Sequence, residues 1–244
     1  MSFSLPPEIF DLIVEQLYKD RETLKVCCVV SKPWVARARR HLFARVHFTD
    51  DSPVESWVKA FPDPSNSPAH HVRDLSICGT PWVTAATTVS RPWFRTFCNI
   101  MHLSVETDLR DDSQISLTPL HALSPTLKSF SLTHGSIPPS EVFNFIYSVP
   151  SLEDLSLIST RGGEADTSIL PATSPMFTGS LFLVMRSGLQ SSMRLLIALP
   201  GGLHFTEIWM GCFTEDLESI TGLVSACCST LESFIVMLYL PGAL

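Results

Sequence analysis

The sequence predicts an α/β chain in two parts: a three-helix module over residues 1–43, then a solenoid over 44–244 with a parallel sheet on one side and helices on the convex side. Three observations carry this. Apolar residues at helical spacing fill the first part. Behind them the pattern apolar-x-x-apolar-x-apolar returns every 25 to 29 residues. Between its copies lie helix starts marked by Ser, Pro and Glu.

The module opens with Leu5-Pro6-Pro7-Glu8-Ile9, and Ile9, Ile13 and Leu17 fall at i, i+4, i+8 on one helix face. Phe10 and Val14 widen that face towards Leu24 and the third helix. Pro6 and Pro7 suit a first helical turn, where a missing N–H costs nothing. Ser31 is placed to cap the third helix, with Pro33 inside its first turn. Val30-Ser31-Lys32-Pro33-Trp34 and Leu42-Phe43 close the run. Roughly 40 residues are too few to close a stable core alone, so these side chains need a further surface.

Taken in order, these motifs resemble an F-box, the three-helix module that docks on the Skp-family adaptor of cullin–RING ubiquitin ligases. The resemblance covers about a fifth of the chain. It implies that Leu5, Pro6, Ile9, Ile13, Leu17, Leu24, Val29, Val30 and Trp34 bind the adaptor. A rival reading makes the three helices only a cap on the solenoid, its apolar residues all internal. Exposure of Ile9, Ile13 and Leu17 in the unbound chain separates the two.

The repeat reads Val72-Leu75-Ile77, Ile100-Leu103-Val105, Leu127-Phe130-Leu132 and Leu152-Leu155-Leu157. Weaker copies are Thr178-Leu181-Leu183, Phe205-Ile208-Met210 and Leu231-Phe234-Val236, and Phe43-Val46-Phe48 supplies an opening strand. The period, with one short strand per unit, resembles an irregular leucine-rich repeat, in which neighbouring units bury each other's apolar faces. The regular repeat has Asn three residues beyond the last strand apolar. Here Thr80, Asp108, Gly135 and Thr160 stand there, so the turns must be satisfied otherwise and the curvature should be uneven. A flat, doubly wound α/β sheet is the alternative architecture. Ser52-Pro53-Val54-Glu55, Pro138-Pro139-Ser140-Glu141 and Thr214-Glu215-Asp216 mark helix starts. The apolar end Leu240-Pro241-Gly242-Ala243-Leu244 carries no polar cap, which leads to the expectation that further repeats follow.

Residues between the strand apolars should point to the concave face, because strand side chains alternate. A serine precedes the last apolar residue in four units (Ser76, Ser104, Ser131, Ser156), then gives way to Phe182, Trp209 and Ile235. That change suggests a substrate-binding patch of Phe182, Trp209 and Ile235, with Glu153, Asp154 and Glu207 favouring a basic segment. An equal alternative is that the aromatics are covered by the C-terminal tail or by further sequence. Two polar, Gly- or Pro-rich stretches, 159–175 and 62–68, read as mobile loops.

Charge is uneven. Residues 1–48 hold eight Lys/Arg against five Asp/Glu, leaving nine against nineteen for the remainder. Lys32, Arg37, Arg39, Arg40 and Arg45 line the third helix and its exit, where they could meet an acidic partner. The acidic remainder argues against nucleic acid. The stretch FIVMLYLPGAL, 11 residues long, is too short to span a bilayer. No secretory signal is legible, and seven cysteines without a Cys-x-x-Cys predict reduced, mostly buried thiols and a cytoplasmic or nuclear protein. No nucleophile, phosphate-loop or dinucleotide motif occurs, and His134-Gly135-Ser136 and Asp111-Asp112 lack catalytic context. The expectation is a non-catalytic chain with no cofactor, no metal and no membrane, whose partners are the adaptor and a protein substrate.

Overall fold

The computed structural model describes residues 6–30, 32–49, 54–79, 94–107, 116–133, 137–158, 175–184, 189–199, 201–212 and 216–239, and every structural statement below concerns these. Leu5, Ser31, Ser52, Pro53, Thr80, Asp108, Asp111, Asp112, His134–Ser136, Thr160 and the 240–244 tail lie outside them.

Helix α1 (Pro7–Gln16) starts at Pro6, as the prolines dictate, and ends at Leu17. Helix α2 (Arg21–Val30) is capped by Asp20, whose carboxylate accepts from the Thr23 backbone N–H at 3.0 Å and the Thr23 hydroxyl at 2.6 Å. Helix α3 (Lys32–Leu42) carries Pro33 in its first turn and Arg39, Arg40 and His41 in its last, where cations meet the negative end of the helix dipole. Both α1 and α2 pack on α3. Val14, Leu24 and Ala38 are fully buried there, with Cys27 beside them, and Leu17, Trp34 and Leu42 packed around. Arg37 of α3 clamps α1 through Asp11 and, at 3.5 Å, Glu15.

The sheet has eight strands, all parallel, in sequence order: β1 (Arg45–Phe48), β2 (Asp74–Cys78), β3 (His102–Glu106), β4 (Ser129–Thr133), β5 (Ser151–Ile158), β6 (Met176–Val184), β7 (His204–Cys212) and β8 (Ser233–Leu238). A doubly wound sheet would reverse direction somewhere. This one does not, so right-handed crossovers put every connection on the same face. Burial agrees. Leu75, Leu103, Phe130, Leu155, Leu181 and Ile208 stand side by side in one register row, Ile77, Val105, Leu132, Leu157, Leu183 and Met210 in another, all buried. The units are equivalent at the backbone too: the carbonyls of Ala44, Arg73, Met101 and Lys128 each accept two N–H groups from the start of the next strand.

The covering segments are uneven. Helices α4 (Val54–Ala60), α5 (Pro139–Ser148), α6 (Leu189–Ile197) and α7 (Leu217–Cys227) serve four connections. Between β3 and β4 the chain instead runs as a 3-10 segment, Thr118–Thr126, with Pro125 inside it withholding an N–H and crowding the preceding turn of any regular α-helix. Trp57 of α4 seals the first unit, its ring 4.9 to 6.0 Å from those of Phe43, Phe48, Phe61 and Phe97.

Two expectations need correction. Phe177, fully buried and paired with Leu152, occupies the first apolar position of its unit in place of Thr178. The extra residue relative to β5 lies between Phe177 and Ser180, where the register shifts and Gly179 has φ of 72°. The 62–68 stretch is pinned, not loose: Asp63 accepts from the Ser65 amide and hydroxyl and from Asn66, and buried Ser67 caps the turn Pro68–His71. In three units a polar side chain one position before the first apolar residue bonds back to the preceding unit. Asn99 donates to the His70 carbonyl at 2.6 Å, Thr126 to that of Ile100 at 2.8 Å, and Thr230 to that of Phe205 at 3.1 Å.

Candidate interaction surfaces

The module buries one stripe of each of its first two helices and leaves another open. On α1 the inward residues are Phe10, Val14 and Leu17, so Ile9, Leu12 and Ile13 face solvent at 40, 60 and 38% exposure. On α2, Leu24 and Cys27 point in, leaving Val26, Val29 and Val30 at 56, 83 and 65%. Each set is an i, i+3, i+4 triplet, the arrangement an apolar helix face takes when it meets a partner.

The predicted adaptor residues therefore divide. Ile9, Ile13, Val29 and Val30 lie on the open triplets, and Pro6 is exposed at the start of α1. Leu24 is fully buried and builds the module from within, and Leu17 and Trp34 are half-buried on the same core, Trp34 with its ring 5.6 Å from that of Phe10. Leu12 and Val26 were missed. Their spacing from Ile9 and Val29 was the available signal, but the i, i+4 stripe through Leu17 looked continuous. Arg37 is spent on Asp11 and Glu15, so it is not free for an acidic partner. That pairing pushes its guanidinium further up and holds the Asp11 carboxyl below its ordinary value.

The open face of the sheet forms a second surface. His47, Ser76, Ser104, Ser131, Ser156, Phe182, Trp209 and Ile235 stand in one register row across all eight strands. The predicted apolar patch is thus brought together on neighbouring strands, and Ile158, Val184 and Met237 flank it one row on. The Tyr239 ring covers Gly211 at the edge of this patch, where a Cβ would stand 2.6 Å from its Cε2. The acidic residues are less available than expected. Glu153 pairs with Lys128 at 3.0 Å and Asp154 accepts the Ser180 hydroxyl at 2.6 Å, while Glu207 is exposed beside Ser233.

Of the seven cysteines, none in a disulfide, Cys27, Cys212 and Cys227 are buried, Cys28 and Cys78 half-buried, and Cys98 and Cys228 exposed, so the thiols are less sheltered than predicted. Burial pushes the Cys28, Cys212 and Cys227 thiols up, away from the reactive thiolate. Tyr147 is likewise pushed up to about 12 by burial and donates to the Leu195 carbonyl at 3.1 Å. Among the described residues there is no metal-holding group of His, Cys, Asp or Glu, and no helix long and apolar enough to cross a membrane. No protein-family model and no curated protein matches the chain.

Proposed function

We propose that the chain is a substrate-recognition subunit of a cullin–RING ubiquitin ligase, an F-box protein with irregular leucine-rich repeats. The observation that carries the reading is the pair of open apolar triplets, Ile9-Leu12-Ile13 and Val26-Val29-Val30, on a module that already has its own core. A module serving only to cap the stack would turn those residues inward. The motif order Leu-Pro-x-Glu-Ile to Val-x-x-x-Trp supports the adaptor as the occupant of that face.

In this role the chain supplies no reacting group. The adaptor holds the module, the open sheet face holds a protein substrate in the cytoplasm or nucleus, and a charged ubiquitin-conjugating enzyme is brought near a substrate lysine. The gain is in effective concentration and orientation. Phe182, Trp209 and Ile235 are the proposed substrate contacts.

The test is co-purification of the full chain with a recombinant Skp-family adaptor. Ile13→Asp and Val29→Asp place a charge in each open triplet and should weaken binding by roughly tenfold or more, since buried apolar anchors dominate such interfaces. Both positions are exposed, so the melting temperature should hold. Undiminished capture by both variants refutes the reading.

A further inference from the structure

The module and the sheet enclose a cavity of about 550 Å³ between the α1–α2 turn, the end of α3 and the first four strands. That volume suits a small molecule or a single modified side chain. Its lining runs against the charge of the whole chain, which is −7. Lys19 and Arg21 come from the turn above, Arg45 from β1 below, and His41, His47 and His102 stand among them. Asp74 is the one carboxylate in the lining, and it lies 3.9 Å from His102.

His41 reaches Glu15 at 3.3 Å, but the lysine and the two arginines are unspent. Among the described residues Arg21 and Arg45 have no carboxylate partner, and Lys19 meets only the Tyr18 ring at 5.2 Å. Asp20, next to Arg21, is occupied in capping α2 through Thr23. Beneath them Ser76, Ser104 and Ser131 lie in one register row, half-buried, each hydroxyl without a hydrogen-bond partner among the described residues. Guanidinium groups above and hydroxyl donors below are the combination that binds a phosphate oxyanion.

A second cavity, about 640 Å³, is lined by Arg40, Arg73, His70 and His71. Its Arg40 and Arg73 likewise have no carboxylate partner among the described residues, but its neutral side-chain donors are committed, Asn99 to the His70 carbonyl and Thr126 to that of Ile100. Free hydroxyls beneath free guanidinium groups are found in the first.

We infer that the cavity beneath the α1–α2 turn binds a phosphate monoester or pyrophosphate group, held by Arg21 and Arg45 over the Ser76-Ser104-Ser131 row. The group belongs either to a small phosphorylated molecule or to a phosphorylated side chain of a partner. Because Arg21 belongs to the module and Arg45 to the sheet, a bound anion bridges the two and braces one against the other. The site is separate from the open triplets of α1 and α2, so it stands or falls independently of adaptor docking.

The experiment is isothermal titration of the full chain at fixed ionic strength with pyrophosphate, with a phosphoserine peptide, and with the same peptide unphosphorylated. Saturable binding of pyrophosphate, with a rise in melting temperature, marks a small-molecule site. Binding of the phosphopeptide alone, over its unphosphorylated twin, marks a modified partner. In either case Arg21→Gln with Arg45→Gln should weaken binding at least tenfold, and Lys59→Gln, on α4 away from the cavity, should not. Should the double variant melt early, the single Lys19→Gln is read instead. The inference is overturned if neither phosphate probe binds, if the double variant binds as the parent does, or if Arg40→Gln with Arg73→Gln abolishes binding in its place.

Discussion

The backbone oxygen of Glu153 occupies the space in which a side chain at Gly179 would begin. Gly179 holds φ of 72° and lets β6 carry one residue more than β5 without losing the row that follows. Gly179→Ala therefore meets two penalties, a left-handed backbone and a clash with main chain that cannot rotate away. Gly202, with φ of 75°, has open space where its Cβ would go, so Gly202→Ala meets only the first. Urea unfolding should show about 1 kcal/mol lost for Gly202→Ala and roughly 3 kcal/mol or more for Gly179→Ala. Equal losses would remove the bulge from the account.

Trp57 gathers four phenylalanine rings at the first unit, two of them, Phe43 and Phe48, from the segment joining module to sheet. The side chain is only partly buried, so Trp57→Ala should cost about 3 kcal/mol, the lower end of aromatic truncations. The loss should appear as a lower urea midpoint at unchanged slope.

The polar ladder makes a smaller and more local claim. Thr126→Val and Thr230→Val keep shape and remove one donor each, leaving the Ile100 and Phe205 carbonyls short of a partner. Each should cost about 1 kcal/mol. The two sites belong to different units with no shared partner, so the double variant should lose the sum to within about 0.5 kcal/mol.

How far the sequence spoke depended on the range of the interaction. Alternation and period are local, so strands, their order and the serine row were readable from positions such as Leu75, Ser76 and Ile77. A bulge is not local. Thr178 fits the spacing of its unit, and only the fit of Phe177 beside Leu152 shows the register to be shifted. Helical spacing gave the apolar residues of α1 but not which of two adjoining stripes turns inward, because that is set by where α3 lies. The phosphate cavity was hidden for the same reason. Arg21, Arg45 and Ser104 are far apart in sequence and meet only through the fold.

Acid should weaken the fold well before Asp11, Asp20 and Asp63 take up protons. Burial holds His71 and His121 below the ordinary value of 6.5, His71 with further help from His70, Arg39 and Arg40, and His121 despite Glu141. Below 6.5 the unfolded chain takes up protons that the folded one refuses, so stability is full above that value and falls as pH drops towards the folded values. Asp11, Asp20 and Asp63 are held below 3.8 and contribute in the same sense, but only at far lower pH. Melting temperature should therefore decline between about pH 7.5 and about pH 5.5. His71→Gln with His121→Gln should flatten that decline, and an unchanged slope would assign it to other groups.

Leu24 and Val26 are two residues apart on α2 and should behave oppositely. Leu24 is fully buried among Val14, Cys27 and Ala38, whereas Val26 is more than half exposed. Leu24→Ala opens a cavity in a core of very few residues and should cost about 2–5 kcal/mol, enough to melt the module while the sheet, with its separate core, stays folded. Amide hydrogen exchange should show protection lost in residues 7–42 and kept in the strands. Val26→Asp should change exchange nowhere, yet reduce capture of the adaptor, because it alters only the face offered to a partner. If Val26→Asp unfolded the module instead, that face would be part of an internal contact and the cap reading would gain.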